Sequence, residues 1–201
     1  MLDLECPEVE EPMREVVRSK DLSGAGAGIE ALRKRWELAG DATVYVCKTN
    51  TFLWVADALV EALPGVKMVG IIRDPKAVVA SMLRQPNFGP RMSKGWRKLP
   101  ARSFGGRKER ELEGLSPAGR AAAWWRAWNE ELRRVQKRHG VPVVKFEELV
   151  KHPKETAAWL SKVVGFEVPA PKVDRGVLVR WQRVLSCPDK RVVDRIVRGF
   201  I

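Results

Sequence analysis

Residues 66–84 read VKMVGIIRDPKAVVASMLR. The first seven, Val66 to Ile72, are largely apolar, the pattern of a strand buried on both faces. Apolar residues then recur at helical spacing to about Leu83, so a strand runs directly into a helix. Asp74 suits the N-cap, and Pro75 suits the first helical turn, where a missing N–H leaves no bond unmade. Arg73 thus stands at the strand's end. Ser81 lies two turns into the helix, its Cβ tilted back toward the helix start. Ligands of open α/β sheets bind beyond the carboxyl ends of strands. A guanidinium, a hydroxyl and a helix dipole could therefore converge there on one phosphate.

Upstream, Thr43 to Cys47 is a short β-rich run, and Phe52 to Leu63 places apolar residues at helical spacing before a Pro64-Gly65 stop. Strand, helix and strand in this order form a right-handed crossover between parallel strands, which predicts an open α/β sheet. The first strand ends in Lys48-Thr49-Asn50, so this cluster and Arg73 would face one crevice. Ile29 to Ala39 reads as a helix stopped by Gly40. Cys47, inside a buried strand, reads as structural.

Downstream, residues 85 to 116 are rich in Gly, Pro and Arg and form no regular element; a loop of that length is usually functional or mobile. A helix is predicted from Ser116-Pro117 to Gly140. Its Trp124, Trp125 and Trp128 fall at helical spacing and read as packing rather than as base-stacking platforms. Val141 to Phe146 offers a third strand, Glu155 to Val164 an amphipathic helix, and the tail a helix from Pro188 onward.

The 201 residues suffice for one core, read as an α/β domain over 29–201 behind a tail or loop at 1–28. A hydrophobic share of 45% and a charged share of 31% are globular. There is no apolar run of the ~18 residues a membrane span needs, and the acidic start lacks the pattern of a secretory signal. Cys6, Cys47 and Cys187 are scattered and odd in number, as expected of reduced thiols in the cytoplasm. His139 and His152 have no ligand-like spacing, so no metal is expected. The net charge of +12 favours polyanionic partners. It is concentrated between Arg84 and Arg110, where nine basic residues meet only Glu109.

The segment from Ile71 to Arg84 resembles the 3′-phosphate-binding segment of sulfotransferases that use 3′-phosphoadenosine-5′-phosphosulfate (PAPS), in which an Arg and a Ser eight positions later hold the cofactor's 3′-phosphate. Tyr45 to Asn50 is similar to that family's strand-end Lys-Thr motif. Val144 to Pro153 is similar to its strand and acidic turn, and Val179 to Ser186 to its C-terminal Arg-Trp segment. The resemblance runs in order over roughly residues 29 to 200. It implies an open three-layer α/β sandwich with a central parallel sheet, the P-loop NTPase-like sulfotransferase core.

The resemblance further implies sulfuryl transfer from PAPS to a hydroxyl or amine acceptor. Arg73 and Ser81 would anchor the 3′-phosphate, and Arg180 and Trp181 would close the nucleotide pocket. Lys48, with Thr49 nearby, would stabilise the transition state. The basic segment favours an anionic acceptor, and nucleic acid is not an expected partner. Two departures stand out. The family's N-terminal 5′-phosphosulfate loop finds only echoes, in Val16 to Lys20 and in Ser23 to Gly28, so the domain reads as N-terminally shortened. Asn50 replaces the His that some members carry after Lys-Thr and cannot serve as a base, which leaves the base unassigned. A non-catalytic nucleotide- or polyanion-binding relative is the other reading of that departure.

Overall fold

The computed structural model describes residues 51–85 and 114–200, together with Ile29, Glu30, Lys34, Val46 and Leu112. The described residues fall into two compact units, one ending at Val66 and one beginning at Lys67. In the first, Ile29, Glu30 and Lys34 are helical, with Ile29 buried. Thr51–Val55 forms a 3₁₀ turn that leads into α1, Ala56–Ala62, in place of one continuous helix. Gly65 follows with φ +88°, completing the Pro-Gly stop expected there. Of the strand predicted at 43–47 only Val46 is described, and it is about half exposed and outside any strand.

The second unit is built around two parallel strands, β1, Gly70–Ile72, and β2, Val143–Lys145. The partners are Gly70 with Val143, Ile71 with Val144 and Ile72 with Lys145. The ladder is shorter than either apolar run because its neighbours cannot extend it. Pro142 has no N–H to give and only accepts, from Gly70 N at 2.9 Å. Beyond Lys145 the chain turns at once into α4, Phe146–Lys151, with α5 at Pro153–Val164 after it. Burial on both faces is not met at Ile71, which is 58% exposed.

Helix α2, Pro75–Arg84, starts where the sequence places it: Asp74 Oδ1 accepts from Ala77 N at 2.9 Å, and Pro75 opens the first turn. Helix α3, Pro117–His139, is bounded by the same logic. Ser116 Oγ accepts from Gly119 N at 3.1 Å, and Gly140 ends the helix at φ +65° behind three basic residues. Its first turns are alanine-rich, and Ala118, Ala121, Ala122 and Ala123 are all buried. Small side chains let α2 and α6, Cys187–Val197, approach α3 closely, and Val79, Trp125, Val193, Ile196 and Phe200 fill the core between them. A Cβ on Gly70 would meet Leu132 Cδ1 at 2.6 Å, so only glycine lets α3 lie this close to β1. Helix α6 opens with a capping box in which Ser186 and Asp189 satisfy each other's backbone amides.

Candidate functional site

Because β1 and β2 are parallel, both chains leave the sheet on one side. There Ile72 gives way to Arg73-Asp74, and Lys145 gives way to Phe146-Glu147. A hollow of about 380 Å³ opens beside this edge, within the roughly 300–1,000 Å³ typical of small-ligand sites. Helix α2 supplies Ala77, Ala80, Ser81 and Arg84, one face at helical spacing. The remaining lining comes from Arg73, Gln85 and the C-terminal segment, where two 3₁₀ turns, Arg175–Leu178 and Arg180–Arg183, present Val177, Arg180, Trp181 and Val184.

Arg73 and Ser81 of one segment and Arg180 and Trp181 of a distant one therefore border one cavity. Among the described residues its lining holds three guanidiniums and no carboxylate. Arg73 is partly buried, with its Cζ 4.4 Å from the centroid of the Phe146 ring, a cation–π contact. Its protein hydrogen bonding is sparse: Nη2 reaches Val177 O at a long 3.4 Å, and Nε is buried without a partner. A guanidinium carries five donors, and among the described residues the Nη2 contact is the one hydrogen bond it makes. Ser81 is exposed, and no described residue binds its hydroxyl. Arg180 is paired with Asp174 at 2.7 Å, both exposed. Two lysines approach the Trp181 ring, Lys76 and Lys190, each 5.6 Å from the centroid.

One part of the expected convergence changes. The first turn of α2 is already capped by the Asp74 carboxylate, which binds the Ala77 amide and offsets the positive helix end. The positive charge that borders this hollow comes from side chains. Lys48 and Thr49 lie outside the described residues, as do Asn50, Cys47, the phosphosulfate-loop echoes and the basic segment beyond Gln85. The tryptophans of α3 divide. Trp125 is buried and packs edge-on against Phe200 at 5.1 Å, while its indole N–H donates to Arg73 O at 2.9 Å. Trp124 and Trp128 are tilted neighbours 6.0 Å apart.

Sequence reasoning missed Arg84, which sits three residues beyond Ser81 on the same helix face; periodicity contained that signal. It also missed Phe146 and Glu147 as neighbours of Arg73, and no single-sequence signal joins positions so far apart. Among the described residues, no three His, Cys, Asp or Glu side chains gather as metal ligands would. No helix among them is long and apolar enough to cross a membrane.

A short parallel sheet whose carboxyl edge meets an arginine-lined hollow defines an α/β protein with a cationic site at the strand ends. Residues 4–170 match the profile of a family described as the sulfotransferase family, and the chain belongs to it. The fold agrees. The solved "Sulfotransferase Domain from the Curacin Biosynthetic Pathway" is similar over 100% of this chain and 81% of its own, at 15% identity and a TM-score of 0.54. No curated protein matches the chain.

Proposed function

We propose that this sulfotransferase-family chain moves a sulfuryl group from PAPS to a hydroxyl or amine acceptor. The observation that carries the reading is the shared cavity: Arg73, Ser81, Arg180 and Trp181 all line one hollow, whose described lining holds no carboxylate. Among the described residues Arg73 makes one long hydrogen bond and its buried Nε makes none, which supports reading it as a cation not saturated by protein. These residues fit an anionic adenine nucleotide. Arg73 and the Ser81 hydroxyl hold the phosphate on the ribose 3′ position by charge-assisted hydrogen bonds. Arg180 adds positive charge at the mouth, and Trp181 offers an indole face beside the base.

Bound PAPS supplies an activated sulfuryl, whose sulfur–oxygen bond to the 5′-phosphate breaks as a bond to the acceptor's oxygen or nitrogen forms. Lys48, with Thr49, stabilises the negative charge that gathers on the sulfuryl and leaving-phosphate oxygens. The acceptor's proton passes to a base that no residue here identifies. The basic run from Arg84 to Arg110 favours an anionic acceptor.

The test is transfer of radiolabelled sulfate from PAPS to a panel of phenol, sugar and amine acceptors. The expected result is labelled product with the wild type, and loss of turnover in Lys48→Ala with nucleotide binding retained. Binding of adenosine 3′,5′-bisphosphate without transfer to any acceptor would instead assign a non-catalytic nucleotide-binding protein.

A further inference from the structure

The sheet ladder ends at Ile72 and Lys145. The next peptide of the first strand, which joins Arg73 to Asp74, has no strand partner for its carbonyl or its N–H. A backbone group set among packed elements needs some partner, and this peptide has one at each pole. Trp125 Nε1 donates to Arg73 O at 2.9 Å, and Glu147 Oε1 accepts from Asp74 N at 2.9 Å. The two side chains come from different elements, α3 and α4. Both are themselves held: Trp125 is 5% exposed and packed edge-on against Phe200, and Glu147 is part-buried.

The peptide plane sets ψ of Arg73 and φ of Asp74. It thereby fixes the direction in which the Arg73 side chain leaves the backbone and the placement of the Asp74 cap on α2. Phe146, adjacent to Glu147, lies under the guanidinium at 4.4 Å. Backbone and side chain of Arg73 are thus both held from the turn after β2. A long side chain magnifies a small rotation at its root, so an anchor of this kind sets whether the guanidinium and Ser81 can meet one phosphate.

We propose that Glu147 and Trp125 are positioning residues for the anion site, gripping both polar ends of the Arg73–Asp74 peptide so that affinity for a ribose 3′-phosphate depends on them. The inference rests on the reading of Arg73 as a phosphate ligand. The experiment must therefore separate the failure of one from the failure of the other.

Isothermal titration of the full chain with adenosine 3′,5′-bisphosphate and with 5′-AMP, which lacks the 3′-phosphate, makes that separation. The wild type should prefer the bisphosphate. Glu147→Ala should weaken the bisphosphate by roughly tenfold, on the scale of one charge-assisted hydrogen bond, and leave 5′-AMP unchanged. Glu147→Gln, which keeps a carbonyl oxygen toward Asp74 N, should restore most of the preference. Trp125→Phe keeps an aromatic ring against Phe200 but loses the N–H donor together with part of the buried indole. It should reduce the preference in the same direction, and it reports even if Glu147→Ala folds poorly. A purely structural role would lower the melting temperature and shift both nucleotides alike. That pattern, or an unchanged preference in Glu147→Ala and Trp125→Phe, overturns the inference while leaving Arg73 in place. A wild type without preference for the bisphosphate overturns the reading of Arg73 itself, and the inference with it.

Discussion

Arg73 and Arg180 line the same hollow, yet the protein holds them in opposite ways. Arg73 leaves a peptide bonded at both poles and stacks on Phe146. Arg180 sits on a short 3₁₀ turn, 54% exposed, and its fixed partner is Asp174, which is 63% exposed. Exposed pairs of this kind contribute little and are screened by salt. Under the proposed function the contrast separates two jobs. A preorganised cation can discriminate between ligands, because nothing must be ordered when the ligand arrives. A loosely held cation at the rim mainly raises attraction.

The comparison breaks most easily at Arg73. Arg73→Ala should weaken adenosine 3′,5′-bisphosphate by roughly 10- to 150-fold, the loss of about 1.5–3 kcal/mol for hydrogen bonds to a charged group. Titration calorimetry reads this directly, and the loss should persist at high salt. Next comes the strand that carries it. Gly70→Ala would drive a methyl group into Leu132 Cδ1 at 2.6 Å and Val143 Cγ2 at 3.1 Å. Overpacking of that kind costs about 1–3 kcal/mol, a fall in melting temperature of roughly 2–12 °C for a chain of this size. Differential scanning calorimetry would show it. An unchanged melting temperature would mean that α3 does not press on β1 as described.

Ser81→Ala is the milder probe of the same anchor. One hydroxyl bond should be worth about 1 kcal/mol, or roughly fivefold in bisphosphate affinity, and helix stability should not fall, since alanine favours helix. Smallest of all is Arg180→Ala, expected to cost no more than about 1 kcal/mol at low salt. Its effect should shrink in about 0.5 M salt, where screening lengths fall toward roughly 3–4 Å, while that of Arg73→Ala remains. If Arg180→Ala proved the larger and salt-insensitive loss, the two roles would be reversed.

Where the sequence was legible, a local rule governed the outcome. Asp74-Pro75, Ser116-Pro117 and Gly140 each carry the cap or stop that their own backbone requires, and α2 and α3 begin and end accordingly. The Arg73–Ser81 spacing needed only the helix that Asp74 starts. What stayed illegible depends on distant partners. Val66 to Val69 reads as strand by composition, but a strand needs a ladder, and Pro142 with the early turn at Phe146 leaves β2 only three residues to offer. Capping by Asp74 hides the helix dipole from the hollow, a consequence of the same residue that made the helix predictable. Trp125 reads as packing and is packing; its bond to Arg73 depends on α3 lying across the strand end, which no periodicity encodes. The catalytic residues expected at Lys48 and Thr49 lie outside the described residues.

The proposed function turns on Arg73 and Ser81 taking one phosphate between them. A crystal structure of the chain with adenosine 3′,5′-bisphosphate tests it most directly. The 3′-phosphate oxygens should lie within about 2.7–3.2 Å of both the Arg73 guanidinium and the Ser81 hydroxyl, ordinary hydrogen-bond lengths, with Trp181 beside the nucleotide. A bisphosphate bound elsewhere on the chain, or held with Ser81 and Arg73 on separate groups, would contradict it.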